Sequence, residues 1–338
     1  MTVQQGSNAT LHRSLLTIDT HIDIPWPDGP GFLETTRRCV DLPKMQRGHL
    51  VAGCFAAYVP QGPRTEVAQL AAYERAIAML ERITTMGEKS ARVCRTADEI
   101  EAGHRAGATI IIPCVENGHA IGTDLSRLAD FAKLGARYMT LTHNGHNALA
   151  DSAIPRADLE DGAELHGGLS DLGRGAIAEM NRLGMVIDIA HVSRATMLQA
   201  VEASRSPPIS THSCIFSLCD HPRNLDDVQL DALRDVGGIV NITAVSGFLR
   251  RRARPEEVTV KDYVDHVDYA VNRIGLAHVG ISSDFDGGGG FSGWKDISQS
   301  EHMTTELQAR GYDRKAIAAL WGGNFLRVLR RAEEIASA

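Results

Sequence analysis

Long apolar runs are missing from this sequence. No stretch approaches the ~20 uninterrupted apolar residues that a membrane helix requires, so we expect no membrane partner. Residues 1–10 are polar and contain no basic segment followed by an apolar one, and the C-terminal segment ending at Ala338 is charged and amphipathic. Neither end has the pattern of a secretory signal or of a lipid-anchor signal, which predicts a soluble, cytoplasmic protein.

Positive charge and paired cysteines are also lacking. Lys and Arg total 35 against 42 Asp and Glu, a net charge of −7, and no basic block marks a nucleic-acid-binding surface. The six cysteines are scattered and form no CxxC pair, so we expect them to be reduced and mostly structural. No low-complexity linker or repeat of fixed period interrupts the chain, which favours a single domain over residues 1–338.

The sequence does contain a regular alternation of strand-like and helix-like segments. Several strand-like runs are almost continuously apolar, as expected for parallel strands that helices cover on the outside. The helical spacing of Ile177, Met180 and Leu183 stops at Gly184, a typical C-terminal residue of a helix. Eight strands are predicted, at Leu15–Ile24, Leu50–Val59, Thr109–Val115, Tyr138–Thr142, Met185–Ile189, Pro208–Thr211, Gly238–Thr243 and His278–Ser283. Eight such units predict a (β/α)8 barrel.

Ionisable side chains follow six of these eight strands at their C-terminal ends, where a barrel of this kind carries its active site. All of them are imidazoles or carboxylates. Packing does not explain this pattern, because a buried ionisable group without a partner is costly, whereas a shared cation would remove that cost. In chain order these residues are His21 and Asp23, Glu116, His143, His191, His212 and Asp284.

The spacing of these residues predicts a centre with two metal ions. His21 and Asp23 lie two residues apart on a strand, so both can face the barrel axis and hold one ion. Imidazole and carboxylate together suit zinc, with Mn²⁺, Co²⁺ or Fe as substitutes. His191 and His212 can hold a second ion, and Glu116 can bridge the two at ~3.5–4 Å with a hydroxide between them. A lone His-x-Asp pair is more often a core histidine beside a capping Asp, so the joint placement carries the prediction.

Longer motifs point to a family. They are Ile18–Asp23, Arg137–Asn144, Asn181–Met185, Asp188–Ser193, Thr211–Ser213, His221–Leu225, Ser283–Gly287 and Gly322–Val328. On these motifs, and over almost its whole length, the sequence resembles the membrane dipeptidase (renal dipeptidase) family of binuclear zinc peptidases, in the amidohydrolase superfamily. The resemblance implies a metal-dependent hydrolase of dipeptides that has a TIM-like barrel and forms a homodimer.

The resemblance also implies two zinc ions per chain. The implied ligands are His21 and Asp23 for the first ion, His191 and His212 for the second, and Glu116 for both. This chain departs from the family in three places near these ligands. Asn117 replaces the first glycine of Glu-Gly-Gly, Ala190 stands where a serine usually precedes the second histidine, and Thr211 precedes the third. Such neighbours orient ligands and shape the pocket, so these departures bear on substrate range more than on metal binding.

Three further roles follow from the resemblance. His143 would bind the substrate and polarise its scissile carbonyl or steady the oxyanion, and Arg223 would bind the α-carboxylate of a dipeptide with a free C-terminus. Asp284 would take a proton from the bridging water and pass it to the leaving amine. Asp286, two residues later, is predicted to fix a loop.

The sequence leaves two other functions open. The same apparatus can hydrolyse another small amide, such as a β-lactam or an N-acyl amino acid. A catalytically silent ligand-binding barrel is also conceivable, although intact metal and proton-transfer residues oppose it. His119, His146 and His221 are predicted to lie behind the site or on the surface. The arginines of 250–254 are predicted to form a solvated loop, with the attraction of acidic substrates as the alternative.

Overall fold

The computed structural model describes residues 10–337 of the chain. Eight parallel strands follow one another around a nearly closed barrel in the order β1-β2-β4-β5-β6-β7-β8-β9, and β3 pairs with the start of β4. The strands are β1 (Ile18–Asp23), β2 (Ala52–Tyr58), β3 (Arg92–Val93), β4 (Ile110–Glu116), β5 (Tyr138–Thr140), β6 (Val186–Asp188), β7 (Ile209–Ser213), β8 (Ile239–Ile242) and β9 (Val279–Ile281). The predicted (β/α)8 barrel and its eight strands are confirmed; β3, with two residues, was not predicted.

The segment after β9 closes the barrel against β1. The Asp23 N–H donates to the Phe285 carbonyl at 3.0 Å, and the Asp284 N–H donates to the His21 carbonyl at 3.1 Å. These bonds bring Asp284 beside the end of β1. Residues far apart in sequence, at the first and last strands, therefore meet at one point of the rim.

Helices cover the outside of the barrel. They are α1 (Leu42–Gly48), α2 (Glu66–Thr85), α3 (Ala97–Arg105), α4 (Arg127–Lys133), α5 (Asp171–Leu183), α6 (Arg194–Ala203), α7 (Asp227–Asp235), α8 (Ser246–Leu249), α9 (Val260–Ile274), α10 (Glu301–Ala309), α11 (Arg314–Ala318) and α12 (Asn324–Ala336). The predicted stop at Gly184 is confirmed, since this glycine ends α5 with a left-handed φ of 68°. No helix within residues 10–337 is both long and apolar enough to cross a bilayer.

One end of the barrel is plugged by apolar side chains. Phe325 and Leu329 of α12 pack with the first inward-facing residue of several strands, among them Ile18, Ile110 and Ile209. These strand residues are fully buried, so the N-terminal end of the barrel has no room for a ligand. The opposite, C-terminal end is left as the place for polar chemistry.

Two strands carry an extra residue just before their histidine. The register of β1 against β2 shifts between Asp19 and Ile22, and that of β7 against β8 shifts between Ser210 and Ser213. Such bulges re-aim side chains and are common next to active sites. In a regular strand, residues three apart face opposite sides. Because of the bulges, His21 and His212 face the barrel axis even though each lies three residues after an inward-facing isoleucine, Ile18 or Ile209.

Candidate active site

The ionisable residues predicted from the strand ends form one cluster at the C-terminal rim. Their ligand atoms fall into three overlapping groups, and within each group the atoms lie within 4.8 Å of one another. The groups are His21, Glu116 and His212; Glu116, His143 and His191; and His21, Asp23 and Asp284. Because the groups share His21 and Glu116, all seven side chains line a single site.

Glu116 lies at the centre of this cluster, and its two oxygens face different imidazoles. Oε2 is 3.5 Å from His21 Nε2, on the side of Asp23. Oε1 is 3.1 Å from His191 Nε2 and 3.5 Å from His212 Nε2. A carboxylate placed in this way can give one oxygen to each of two ions.

The protein fixes the ring of His21 from behind. The Tyr138 hydroxyl donates to the Thr20 carbonyl at 3.0 Å, so at its 3.0 Å contact with His21 Nδ1 it must accept a proton. A proton of His21 therefore sits on Nδ1, so that Nε2 is the nitrogen directed at the site. This is the arrangement that holds histidine ligands in metal centres.

The other two histidines are oriented in the same way. His191 Nδ1 lies 3.1 Å from Asn144 Oδ1, an acceptor. His212 Nδ1 lies 2.8 Å from the Thr211 hydroxyl, which donates its own proton to Asp188 at 2.7 Å and so accepts from the imidazole. Both Nε2 atoms consequently carry lone pairs, and they face each other at 2.8 Å.

These atoms fit divalent cations. His21 Nε2 and Asp23 Oδ1 are buried without any hydrogen-bond partner among the described residues, and two facing lone pairs 2.8 Å apart repel unless they share a cation. Burial lowers the pKa of His191 well below 6.5, so this imidazole is neutral, as a ligand must be. Burial alone would lower the pKa of His21, but the nearby negative charge of Glu116 has the larger effect, and the pKa is raised to about 10. This corner of the site thus attracts positive charge, and imidazole with carboxylate is a zinc-type donor set.

Two further side chains line the cavity above the cluster. The ring of His143 lies 4.2 Å from that of His191 between centroids, and burial lowers the pKa of His143, so it is a neutral hydrogen-bond donor. Arg223 is 3% exposed and has no carboxylate in salt-bridge range within residues 10–337. Its Nη2 reaches only the His212 carbonyl, at 3.3 Å, and its guanidinium lies 5.4 Å from the ring of Phe248. Arg223 is therefore a buried cation available to an anionic ligand.

Asp284 is held against the cluster by an unusual backbone. Its φ is 57°, in the left-handed region, and the chain turns back so that Gly287 covers the carboxylates of Asp23 and Asp284. A Cβ at Gly287 would lie 2.1 Å from Asp23 Oδ2 and 2.5 Å from Asp284 Oδ1, so only glycine fits. Burial, with help from Glu116 and against His21, raises the pKa of Asp284 to about 7, which suits a group that exchanges protons near neutral pH.

Most of the residues predicted to lie outside the site do so, whereas Asp286 and His221 also line the cavity. Asp286 accepts from the Cys39 and Val40 N–H groups at 2.8 and 3.1 Å and pairs with Arg38 at 3.1 Å, so it fixes a loop. His146 is bonded to Ser152 N and Gly162 O, and His119 lies 3.3 Å from Gln61. The arginines of 250–254 are exposed, and those at 250, 251 and 254 pair with nearby carboxylates. His221 does line the cavity, beside Arg223.

Asn117, the departure from the family pattern, supports the peptide that follows Glu116. Its φ is 87° and its side chain is fully buried. Its Nδ2 donates to the Val59 carbonyl at 3.0 Å and to Gln61 at 3.2 Å, while its Oδ1 accepts from His119 N and from Asn147. The amide therefore ties together three loops behind the site and does not enter the cavity.

Sequence reasoning missed the residues that orient the imidazoles. Tyr138, Asn144 and Asp188 each help to determine where a histidine proton lies. The only signal in the sequence was weak, an Asp at the end of an apolar strand. In the structure this residue, Asp188, is buried, and its two oxygens accept from the Thr140 and Thr211 hydroxyls and from the Ala190 N–H. Only the folded barrel brings these partners together.

Comparison with known proteins agrees with this geometry. The family model for membrane dipeptidase (peptidase family M19) matches residues 6–338. Dipeptidase tcpJ of Claviceps purpurea is 32% identical over an alignment of 345 positions, which covers 99% of this chain and 78% of that protein. The crystal structure of the probable dipeptidase PvdM from Pseudomonas aeruginosa has a TM-score of 0.92 at 27% identity, over 98% of this chain and 99% of that one.

A third relative has a ligand in place. A metallo peptidase from Rhodobacter sphaeroides, solved with a phosphinate mimic of the dipeptide L-Ala-D-Ala, has a TM-score of 0.81 at 28% identity, over 94% of this chain and 99% of that chain. The match to the family model covers almost the whole sequence, and the fold agrees with that of the dipeptidase structures compared above. The chain belongs to the membrane dipeptidase family, peptidase family M19.

Proposed function

We propose that this protein hydrolyses dipeptides that have a free C-terminal carboxylate, with two divalent ions, zinc in the first instance, bound at the rim cluster. The observation that carries the proposal is the position of Glu116, whose two oxygens face different imidazoles, His21 on one side and His191 and His212 on the other. The relatives named above as dipeptidases, and the dipeptide mimic bound to the Rhodobacter sphaeroides protein, support the substrate class.

Five side chains would hold the ions. His21 and Asp23, which lie together, would bind one ion, and His191 and His212, whose Nε2 atoms face each other beside the same Glu116 oxygen, would bind the other, with Glu116 shared. Bound there, the ions would activate a water as hydroxide and polarise the scissile carbonyl. The residues behind the imidazoles hold a proton on each Nδ1 and so direct each Nε2 into the site, where it would bind metal.

The remaining side chains would position the substrate and move the proton. Arg223, buried in the wall of the cavity, would bind the α-carboxylate through its guanidinium and so would hold the scissile peptide above Glu116. His143 would donate a hydrogen bond to the carbonyl oxygen as negative charge develops on it. Asp284 would accept the proton of the attacking water and deliver it to the leaving amine.

The test is turnover by the zinc-loaded protein on matched substrates. We expect dipeptides such as Ala-Ala to be hydrolysed, with N-acetyl-alanine and a β-lactam hydrolysed far more slowly. Faster turnover of the N-acyl amino acid or the β-lactam would favour the amidase alternative. No turnover of any of them, with metal bound, would indicate a ligand-binding barrel. Chelation before the assay distinguishes metal-dependent hydrolysis from a contaminating peptidase.

A further inference from the structure

The active-site cavity extends to both sides of the metal ligands. It has a volume of about 580 Å³. Arg223 and Phe248 line one side, and Tyr58, Arg75 and Met79 line another. Arg223 follows β7, whereas Tyr58 ends β2, and these two strands stand four places apart in the eight-strand order, on opposite sides of the barrel.

This topology orients a dipeptide. With its carboxylate on Arg223 and its scissile bond above Glu116, the N-terminal residue points to the opposite side, where Tyr58 and Arg75 lie. The side chain of the N-terminal residue therefore contacts the residues of α2 that line the cavity. The chemistry of α2 at this point decides which N-terminal residues are preferred.

Arg75 is the charged group that α2 presents there. It is half-buried, and its Nε donates to the Tyr58 carbonyl at 3.1 Å, which anchors the arm of the side chain. The positions three and four residues away along the helix offer it no carboxylate, since they are Ala71, Ala72, Ala78 and Met79. Within residues 10–337, no Asp or Glu lies within 4.0 Å of its guanidinium.

The neighbouring arginines are different. Arg38 pairs with Asp286 at 3.1 Å, and Arg156 pairs with Asp158. Their charges are already compensated by the protein. Burial lowers the pKa of Arg75 from its ordinary value, which marks a cation that has lost water without gaining a counter-charge, although an arginine stays protonated at neutral pH.

We infer that Arg75 makes the N-terminal subsite selective for an acidic side chain, so that dipeptides beginning with Glu or Asp are the preferred substrates. The inference rests on the proposed function, because it assumes a dipeptide bound between Arg223 and α2. Tyr58 and Met79 supply apolar surface for the methylene groups of such a side chain, and the guanidinium supplies its counter-charge.

The experiment compares kcat/KM for Glu-Ala and Gln-Ala, which differ in charge but hardly in shape. We expect a ratio of about 10 for the zinc-loaded protein at low salt, and a ratio that falls as salt is added. In Arg75→Gln, which keeps a donor for the Tyr58 carbonyl, the ratio should fall to about 1. In Arg75→Glu the preference should reverse, with Lys-Ala favoured over Gln-Ala. Arg75→Lys should keep part of the preference.

Arg82→Gln is the matched control. Arg82 lies seven residues further along α2 and donates to the Pro27 carbonyl at 2.7 Å. This variant should retain the Glu-to-Gln ratio of the unmodified protein. Binding of phosphinate mimics of Glu-Ala and Gln-Ala, measured by calorimetry, gives the same ratio for any variant that turns over too slowly.

The outcomes separate the two proposals. Hydrolysis of Ala-Ala together with a Glu-to-Gln ratio near 1, unchanged by Arg75→Gln, would overturn the selectivity and leave the dipeptidase proposal in place. The selectivity would also be overturned if Arg82→Gln lowered the Glu-to-Gln ratio as much as Arg75→Gln does. The effect would then come from a change in the helix and not from the Arg75 guanidinium. Failure to hydrolyse any dipeptide would overturn the proposed function and, with it, this inference.

Discussion

Replacing Arg223 tests how the substrate is held. Its guanidinium is buried, its Nε has no hydrogen-bond partner among the described residues, and burial lowers its pKa to about 10 against the opposing effect of Asp284 and Glu116. A cation in such a place gains most from a ligand that brings a carboxylate. Arg223→Ala removes that partner, and the substrate carboxylate is then desolvated without compensation.

The size of the effect follows from the burial. Losing one partner of a buried charge pair costs about 3 kcal/mol or more, which corresponds to roughly 150-fold in kcat/KM. Arg223→Lys should recover only part of this, because an ammonium lacks the planar fork that grips both carboxylate oxygens. Arg251→Ala is the control, since Arg251 lies on an exposed loop and meets only Asp220, at 3.4 Å.

The assay crosses the mutation with a change in the substrate. kcat/KM is measured for Ala-Ala and for its C-terminal amide, with the unmodified protein and with Arg223→Ala. The amide should be a poor substrate for the unmodified protein and should lose little more in the variant. Equal losses on the free and amidated dipeptides would refute the reasoning, because they would assign Arg223 a structural role and shift weight to the amidase alternative.

Three further predictions concern the proton, the metal and the fold. Asp284→Asn should keep its metal, measured by elemental analysis, while kcat falls by ~10²–10⁴. An unchanged kcat would show that another residue transfers the proton. Tyr138→Phe removes the acceptor of the His21 Nδ1 proton, so zinc affinity in chelator competition should fall by ~10–100-fold, and excess zinc should restore turnover. Burial lowers the pKa of His12 from 6.5 to about 4, so between these values the unfolded chain binds more protons and stability falls as pH falls, by up to about 3 kcal/mol. In His12→Gln the free energy of unfolding, measured with urea, should depend less on pH in this range. An unchanged dependence on pH would contradict the prediction.

The barrel and the identity of the clustered residues could be predicted because both leave local signals. Largely apolar strands, six of the eight followed by an imidazole or carboxylate, identify the rim without any knowledge of contacts. β3 left no such signal, because a strand of two residues that pairs beside the start of β4 is too short to show a pattern. The bulges before His21 and His212 were also invisible, since they are defined by the partner strand.

The properties that make the site chemically specific depend on contacts between distant parts of the chain. The proton position on His21 depends on Tyr138, 117 residues away, and the unpaired state of Arg75 depends on which carboxylates the fold brings near it. A motif can place a histidine at the end of a strand, but it does not show which of the two ring nitrogens faces the site. Helical spacing likewise places Arg75 on α2 without saying which face of α2 meets the cavity.

Metal titration of chelator-treated protein tests the central claim, that the rim cluster binds two ions through a shared Glu116, most directly. Zinc content and Ala-Ala turnover are followed together as zinc is added, with Glu116→Ala and His191→Ala in parallel. We predict that turnover is absent without metal and saturates at two ions per chain, that Glu116→Ala weakens both ions, and that His191→Ala chiefly weakens one. Full turnover by metal-free protein, or tight binding of two ions by Glu116→Ala, would contradict the account.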